Sequence, residues 1–318
     1  MQPRFIKNLL VLCCSVAISH TAVAQDASRI YVEPNGWAIG MNVGMSDMWG
    51  DVGTKSPIDH YTNSKYFDKV TFMGGMFGRY NVHPVFGIRF QLNYGSLYAT
   101  DKWNYDGVKG NALAQGNDYV QRYLRSQTAK ADILESSVIF ELTPRRWNPE
   151  SRKAHKRGQP FIGAGVALFH YTPYSTVAGG PTFVKTYDLD LEGQGFSGGN
   201  YPKKNSQWQP AIPLVIGYRW DLGQHLNLGI EYMWRMTFFD YLDGVSGKYL
   251  SQSEYNANLS PADAALAMRI ADKQPYFNNS IPSFPGTLRG NPSNNDSYSS
   301  ITITFYYKVN ARNREWWH

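Results

Sequence analysis

The chain has 318 residues with a formal net charge of +6 at pH 7, and 18% of its residues are charged while 15% are aromatic. An ordinary soluble domain has about 25% charged residues. The modest charge, without a basic stripe or a recognisable nucleic-acid module, excludes a nucleic-acid-binding protein. After the N-terminal region no apolar run is long enough for a transmembrane helix.

The N-terminus has the three parts of a secretory signal. Arg4 and Lys7 form a positive start, residues 9–18 an apolar core, and residues 22–24 a small-residue cleavage site. The core is too short to span a bilayer as a helix. Both cysteines of the chain lie inside it, and a lipid anchor on Cys13 would need small residues before it, where Val and Leu stand. We therefore predict a signal peptide at 1–24 and a single mature domain at 25–318 without disulfides.

Eight segments alternate large apolar residues with small or polar ones, the period of two of a β-strand. In the clearest, Phe86, Ile88, Phe90, Leu92 and Tyr94 alternate with glycine, arginine, glutamine and asparagine. Each segment is about as long as a tilted membrane strand requires. One segment, 161–172, is apolar at both its odd-numbered and its even-numbered positions, so the pattern does not decide which of the two sets faces outward. In chain order the predicted strands cover 37–46, 70–82, 86–94, 134–142, 161–172, 212–222, 226–238 and 300–309.

The charged residues favour a membrane barrel over a soluble β-sandwich. When the phase of each strand is set from its large apolar residues alone, nine charged residues fall on the opposite face: Arg79, Arg89, Glu135, Glu141, Arg219, Asp221, Glu231, Arg235 and Lys308. Arginine or lysine facing lipid costs about 2–4 kcal/mol near the midplane, whereas a lumen accepts both signs. A sandwich gives the same parity, but the large outward aromatics and the signal peptide favour a barrel. All nine except Asp221 and Lys308 are assigned to a predicted lumen charge network, interpreted as structural rather than as a relay.

The connections alternate between short and long, as in outer-membrane barrels with short periplasmic turns and long outer loops. The turns lie at 82–85, 143–160 and 221–225, and the loops at about 47–69, 97–131, 173–209 and 240–297. We predict an all-β fold, an eight-stranded antiparallel barrel in the cell outer membrane, surrounded by its lipids. Side chains fill a lumen of this size, so a solute pore is not expected. Ser260 is predicted to be the N-cap of a helix in the last loop.

No motif indicates an enzyme. The sequence has neither a Gly-x-Ser-x-Gly elbow nor a His-Glu-x-x-His pair. We predict a noncatalytic protein without cofactor or metal, and a hydrolase site carried by the loops is kept as an alternative. Asp188, Asp190 and Glu192 alternate in the third long loop and have the chemistry of calcium ligands. We interpret them instead as one solvated face of a loop hairpin.

The turn at 143–160 is strongly basic, with one acidic residue, Glu150, against six cations. One interpretation is a polar turn that cannot cross the membrane and limits aggregation. The other is a cationic contact surface for a periplasmic partner. The candidate partner-contact residues are Arg145, Arg146, Arg152, Lys153, Lys156 and Arg157.

Several segments resemble the PorG-like outer-membrane barrels of the Bacteroidota type IX secretion system. The most specific runs from Asp240 to Tyr249 and begins Asp-Tyr-Leu-Asp. The long loops and the Trp-Trp-His end depart from the family pattern. The other matching segments, in order along nearly the whole mature chain, are Trp49–Gly53, Gly78–Tyr80, Phe86–Gly95, Ser136–Pro144, Gln159–Gly165, Arg289–Asn291 and Asn295–Tyr298.

The resemblance implies a noncatalytic role in protein transport. A barrel of this family associates with the periplasmic ring of the secretion machine, which is built from a lipoprotein and its partner. The leading hypothesis is therefore a barrel that anchors or organises this ring complex. The alternative is a surface-binding or adhesion barrel that acts through its long extracellular loops.

Overall fold

A computed structural model describes residues 36–54, 59–108, 118–147, 157–222, 225–277 and 284–309. The predicted signal peptide and the C-terminal Trp-Trp-His lie outside the described residues. Eight long strands form the wall: β1 Gly36–Trp49, β2 Thr71–Asn81, β3 Phe86–Thr100, β4 Thr128–Leu142, β5 Gly158–Thr176, β7 Trp208–Asp221, β8 Leu226–Thr237 and β9 Ser297–Lys308.

The eight strands close into an antiparallel barrel, which confirms the predicted fold class. Each wall strand pairs with the next wall strand along the chain. The barrel closes where β1 pairs with β9, from Ala38 opposite Lys308 to Trp49 opposite Ser297. A short strand, β6 Phe183–Lys185, pairs only with the outer end of β5.

Short helices lie in the outer loops. Their bounds are α1 Asp59–Thr62, α2 Tyr105–Val108, α3 Asp118–Arg125, α4 Gln252–Asn258, α5 Pro261–Ala271 and α6 Gln274–Phe277. Ser260 caps α5 as predicted, because its hydroxyl accepts the backbone N–H of Asp263 at 3.2 Å. The described residues include no helix with the length and hydropathy needed to cross a bilayer.

Several strands are longer than the sequence predicts, mostly at the outer end, although β5 also begins earlier at its turn end. β4 begins at Thr128 rather than at 134, and its first outward residues, Lys130 and Asp132, form an ion pair with an N–O distance of 3.1 Å. The absence of charge on the outward face therefore holds for the predicted spans and not for the whole strand. Apolar alternation ends where the wall leaves the hydrocarbon, although the backbone pairing continues beyond it.

The ambiguous strand is resolved by burial. On β5, Phe161, Phe169 and Tyr171 are buried inside the barrel, whereas Val166 and Leu168 are exposed on the wall. Even-numbered residues of this strand therefore face outward.

The interior of the barrel has two layers. Towards the short turns it holds the charged residues described below, together with two small apolar clusters that include Phe161 and Phe77. Towards the outer loops it is apolar, and Met73, Leu97 and Phe169 of the wall form one core with Phe239 and Leu242 of the last long loop. The last loop thus packs onto the outer mouth of the barrel.

The outer surface of the wall is an apolar belt. Met76, Ile216 and Phe140 are each about 60% exposed or more, although they are large and apolar. A closed barrel satisfies all strand hydrogen bonds internally, so this wall is suited to lipid. The protein is an outer-membrane barrel.

We expect Val166→Arg to destabilise the barrel, because Val166 is 63% exposed on the wall. A charge placed against hydrocarbon lowers the free energy of unfolding by about 2–4 kcal/mol. The measurement is urea unfolding in lipid vesicles, followed by gel mobility without boiling. Asp188→Arg, at a side chain 91% exposed in an outer loop, is the control and should change little. Equal stability of the two variants would contradict the lipid-facing assignment.

Candidate functional site

The lumen holds one ion-pair chain centred on Glu141. Arg219 donates to its Oε2 at 2.7 Å, and Arg89 Nε lies 3.1 Å from its Oε1. Arg79 Nη1 lies 3.6 Å from the same carboxylate. Arg89 also donates through Nη1 to Glu231 at 2.7 Å, which extends the chain across the barrel.

A second lumen group is centred on Glu135. Arg235 Nε donates to its Oε2 at 2.9 Å, and the Tyr298 hydroxyl donates to the same oxygen at 2.8 Å. Asn93 donates to the other oxygen at 3.0 Å. Arg235 is 1% exposed and Glu135 is fully buried, so pairing is what keeps two charges stable there.

All seven residues of the predicted lumen charge network are thus buried inside the barrel and brought together in these two groups. Asp221 and Lys308, the other two inward charges, form a separate pair at the turn end with an N–O distance of 2.9 Å. Most ion pairs of the network connect strands that are not neighbours in the sheet, and the Arg89–Glu231 pair spans the barrel. These side chains therefore fill the lumen and have the geometry of a structural scaffold.

The basic turn is only partly described. Arg146 is buried and lies 3.9 Å from the Asp221 carboxylate, so it belongs to the end of the lumen rather than to an exposed contact surface. Arg145 is half-buried, and Arg157 is exposed. Arg152, Lys153 and Lys156 lie outside the described residues.

The outer loops fold into an outer cap, defined as residues 50–54, 118–127, 186–194, 239–277 and 288–296. Four segments of the family resemblance meet in it. Val52 N–H donates to Asp243 at 2.8 Å, and Leu242 N–H donates to Asp296 at 2.7 Å. Asn291 N–H donates to Asp51. Residues about 50, 190 and 240 positions apart in the sequence are therefore joined by backbone-to-carboxylate bonds.

Two buried ion pairs strengthen the outer cap. Arg125 donates to Asp101 through Nε at 2.8 Å and Nη2 at 2.9 Å. Arg289 Nη1 donates to Glu192 at 2.9 Å. Sequence patterns do not identify Asp101, Arg125 or Arg289 as a set, because only the fold brings them together.

The interpretation of Asp188, Asp190 and Glu192 as one solvated face is wrong. Glu192 is 3% exposed and accepts the backbone N–H groups of Ser246 and Gly247. Asp190 pairs with Lys204, and only Asp188 is fully in solvent. A 3₁₀ turn at Tyr187–Leu189 and a positive φ of 44° at Asp190 end the period of two. No three His, Cys, Asp or Glu side chains within the described ranges are placed to hold a metal ion.

One loop arrangement has the connectivity of a catalytic triad. Thr54 Oγ1 lies 2.7 Å from His60 Nε2, and His60 Nδ1 lies 2.8 Å from Asp47. However, the ring of His60 is packed against Tyr66 and Trp103, with centroid distances of 5.0 and 4.3 Å. The cavity beside His60 is about 10 Å³, which leaves no room for a substrate. This arrangement ties the first outer loop to β1.

An open cleft of about 530 Å³ lies on the outer cap. Its polar lining includes Gln121, Gln274, Asn291 and Asn294, and its apolar lining includes Phe284 and Leu288. Arg122, Arg125 and Arg289 also line it, against one acidic residue, Asp51. The volume is within the range of small-ligand sites, although the lining is more polar than is usual for them.

No protein-family model matches the chain, and no curated protein matches it. Among solved structures it is similar to Neisserial surface protein A, with a TM-score of 0.36, 9% identity, and coverage of 86% of this chain and 97% of that chain. It is also similar to Ail, the attachment invasion locus protein of Yersinia pestis, with a TM-score of 0.36, 7% identity, and coverage of 87% of this chain and 100% of that chain. A third similar structure is the outer membrane protein OprG of Pseudomonas aeruginosa, with a TM-score of 0.33, 9% identity, and coverage of 86% of this chain and 97% of that chain. Similarity this low says nothing about function, and the barrel fold rests on the strand pairing itself.

We expect Glu141→Gln to be strongly destabilising, because it leaves three buried arginines around a neutral amide. Breaking a buried pair typically lowers the free energy of unfolding by about 3–5 kcal/mol. The measurement is urea unfolding of the refolded barrel in vesicles. Glu254→Gln, at the start of α4 on the surface, makes the same chemical change without buried partners and should cost less than about 1 kcal/mol. A similar loss in both variants would contradict the scaffold role of Glu141.

Proposed function

We propose that this chain is a noncatalytic outer-membrane component of a Bacteroidota type IX secretion system that anchors or organises the periplasmic ring complex. The observation that carries the proposal is the convergence of the resembling segments. Those at 49–53, 240–249, 289–291 and 295–298 are bonded to one another in the outer cap instead of lying scattered over the surface. Residues that bond to one another in this way are the ones that a barrel of the same structure would need to retain.

The filled lumen supports a structural role. Glu141 and Glu135 bind arginines from strands two and three positions away around the barrel, and Arg89 reaches Glu231 on the opposite wall, so the barrel itself offers no wide conduit for a protein cargo. A barrel of this kind contributes by holding other components in place. Its periplasmic side presents the basic turn, which has the charge to attract an acidic surface of the ring lipoprotein or its partner.

We expect a clean deletion of the gene to stop export of type IX cargo, and we expect the complementing wild-type gene to restore it. A tagged copy of the barrel should co-purify with the ring components. Normal export in the deletion strain would contradict the proposal.

A turn variant tests how the ring is held. It changes five basic residues of the turn to glutamine and leaves the buried Arg146 intact: Arg145, Arg152, Lys153, Lys156 and Arg157. We expect weaker ring co-purification with unchanged barrel folding. The matched control removes five exposed outer-loop charges: Lys65, Lys102, Lys185, Lys203 and Lys248. Equal ring recovery from both variants would exclude the turn as the contact.

The cleft of the outer cap favours a second candidate, a surface-binding barrel. Its four side-chain amides and the partly exposed Arg122 suit a polar saccharide, and its volume is within the roughly 300–1,000 Å³ of ligand sites. Removal of the loop over 250–285 is not a usable test, because Tyr255, Ala264 and Ile270 form a buried core there.

We expect the double variant Phe284→Ala, Leu288→Ala to lose binding to an array of acidic and neutral oligosaccharides while export stays normal. Both side chains line the cleft and are more than half exposed, so the outer cap should remain folded. Phe67→Ala, an exposed aromatic of the first outer loop, is the control. Failure of the wild-type barrel to bind any saccharide on the array would remove this candidate.

A further inference from the structure

Five acidic side chains are buried together beneath the outer cap. Asp51 follows β1, Glu192 lies in the third long loop, Asp240 and Asp243 begin the fourth, and Asp296 precedes β9. Each is at most 6% exposed. All lie outside the membrane-spanning strands, so the cluster belongs to the cap and not to the lumen.

Some of these carboxylates are stabilised by hydrogen bonds and by an ion pair. Asp243 accepts the backbone N–H groups of Val52 and Val245, each at 2.8 Å. Asp296 accepts those of Leu242 at 2.7 Å and Asp243 at 3.3 Å through one oxygen. Glu192 is bonded to Arg289.

Three carboxyl oxygens in the cluster are buried without a hydrogen-bond partner. They are both oxygens of Asp240 and Oδ1 of Asp296. Ser246 lies beside Asp240 but makes no hydrogen bond of normal geometry with it. Asp296 Oδ1 and Asp243 Oδ2 both lie beside Gly50. A β-carbon added to Gly50 would be 2.6 Å from Asp296 Oδ1 and 2.5 Å from Asp243 Oδ2. The two oxygens are therefore no more than about 5 Å apart.

The cations around the cluster do not balance it. Arg125 is held by Asp101 and Arg289 by Glu192, while Arg122 Nη1 donates to the backbone carbonyls of Asp51 and Gly53. At the edge, Asp272 and Lys273 add one carboxyl and one amine, next to Ala271, whose carbonyl accepts from Arg289. Around the cluster itself three guanidinium groups face six carboxyl groups: Asp51, Asp101, Glu192, Asp240, Asp243 and Asp296.

A buried carboxylate without a partner is costly, and it is relieved when the group binds a proton. Burial, followed by repulsion from neighbouring carboxylates, raises the pKa of Asp240 to about 8 and that of Asp243 to about 7. The same causes raise the pKa of Asp296 well above its usual value. A protonated carboxyl can donate to a neighbouring carboxylate, and Asp296 Oδ1, which has no hydrogen-bond partner, lies within about 5 Å of Asp243 Oδ2.

We propose that the outer cap is a proton-dependent latch, in which the carboxyl groups of Asp240, Asp243 and Asp296 hold shared protons when the cap is closed and lose them when it opens. The latch holds the start of the last loop against the segment that follows β1. This inference concerns the outer cap alone and does not rest on the proposed function.

The sign of the pH dependence follows from linkage. These carboxyls have a higher pKa in the closed cap than in an open, solvated one, so the closed cap binds more protons. The closed cap is therefore most stable below the ordinary carboxyl pKa of about 4. Its stability falls as the pH rises from there through the raised pKa values near 7 and 8, and it stays constant at higher pH.

The test is hydrogen exchange of the full barrel in lipid vesicles from about pH 6 to about pH 9, corrected for the intrinsic exchange rate. The reporters are the amides of Leu242 and Val245, which bond to the latch carboxylates. We expect their protection to fall with rising pH, by up to about tenfold per pH unit for each proton lost. Amides in the middle of β8 and β9 should keep theirs. Protection at Leu242 and Val245 that does not change with pH would overturn the proposal.

The variant Asp240→Asn sharpens the test, because it keeps the shape and removes one titrating group. We expect a shallower pH dependence and greater protection than wild type at about pH 9. Asp188→Asn, exposed in an outer loop, should behave as wild type. A slope in Asp240→Asn equal to that of wild type would contradict the latch, and if this variant does not fold the wild-type profile alone decides.

A divalent cation is the competing explanation for the same carboxyls. The exchange series is therefore run in EDTA and again with millimolar CaCl₂. The proposal expects closure at low pH in both. If calcium restores full protection at alkaline pH, and if acid without calcium does not protect, the cluster is a cation site and the latch is wrong.

Discussion

The pairing of charge inside a space that excludes water is the constraint on which the structure depends. The charged residues predicted on the inner face of the wall are buried, apart from the half-buried Asp221, and an unpaired charge there would cost more than a small barrel can tolerate. Glu141 meets this constraint for three arginines at once, and Glu135 does so for Arg235 with help from Tyr298 and Asn93. These contacts fix the strand register, since a shift of one residue would turn each charge into the lipid.

The two ends of the molecule meet the exclusion of water in different ways. At the turn end the buried charges form ion pairs, and towards the outer loops the space is filled by an apolar core to which Leu242 and Phe239 contribute. The lumen thus serves as a brace, and the surfaces that remain for recognition are the basic turn on one side and the cleft of the outer cap on the other. A secretion component would use the first, and a surface-binding barrel the second.

Much of the wall could be predicted from the sequence because lipid and lumen impose a period of two on every strand. Arg89 and Glu231 are recognisable as inward residues from their neighbours alone. The outer ends were less visible, since Lys130 and Asp132 lie on paired strand beyond the hydrocarbon. The cap could not be derived in this way: Glu192 looks like one of three alternating surface acids, and only its bonds to Ser246, Gly247 and Arg289 make it buried. Its partners are distant in sequence, so no local pattern records them.

The shared core of wall and last loop imposes an order on assembly. Leu242 and Val245 are buried in one core with Met73, Leu97 and Ile133, which lie on strands from the first half of the chain. The last loop joins β8 to β9, and β9 completes the wall by pairing with β1. Until that seam is sealed the loop has no complete surface to pack on. A barrel in which β1 and β9 have not yet paired would therefore leave the backbone of this loop without its protecting surface.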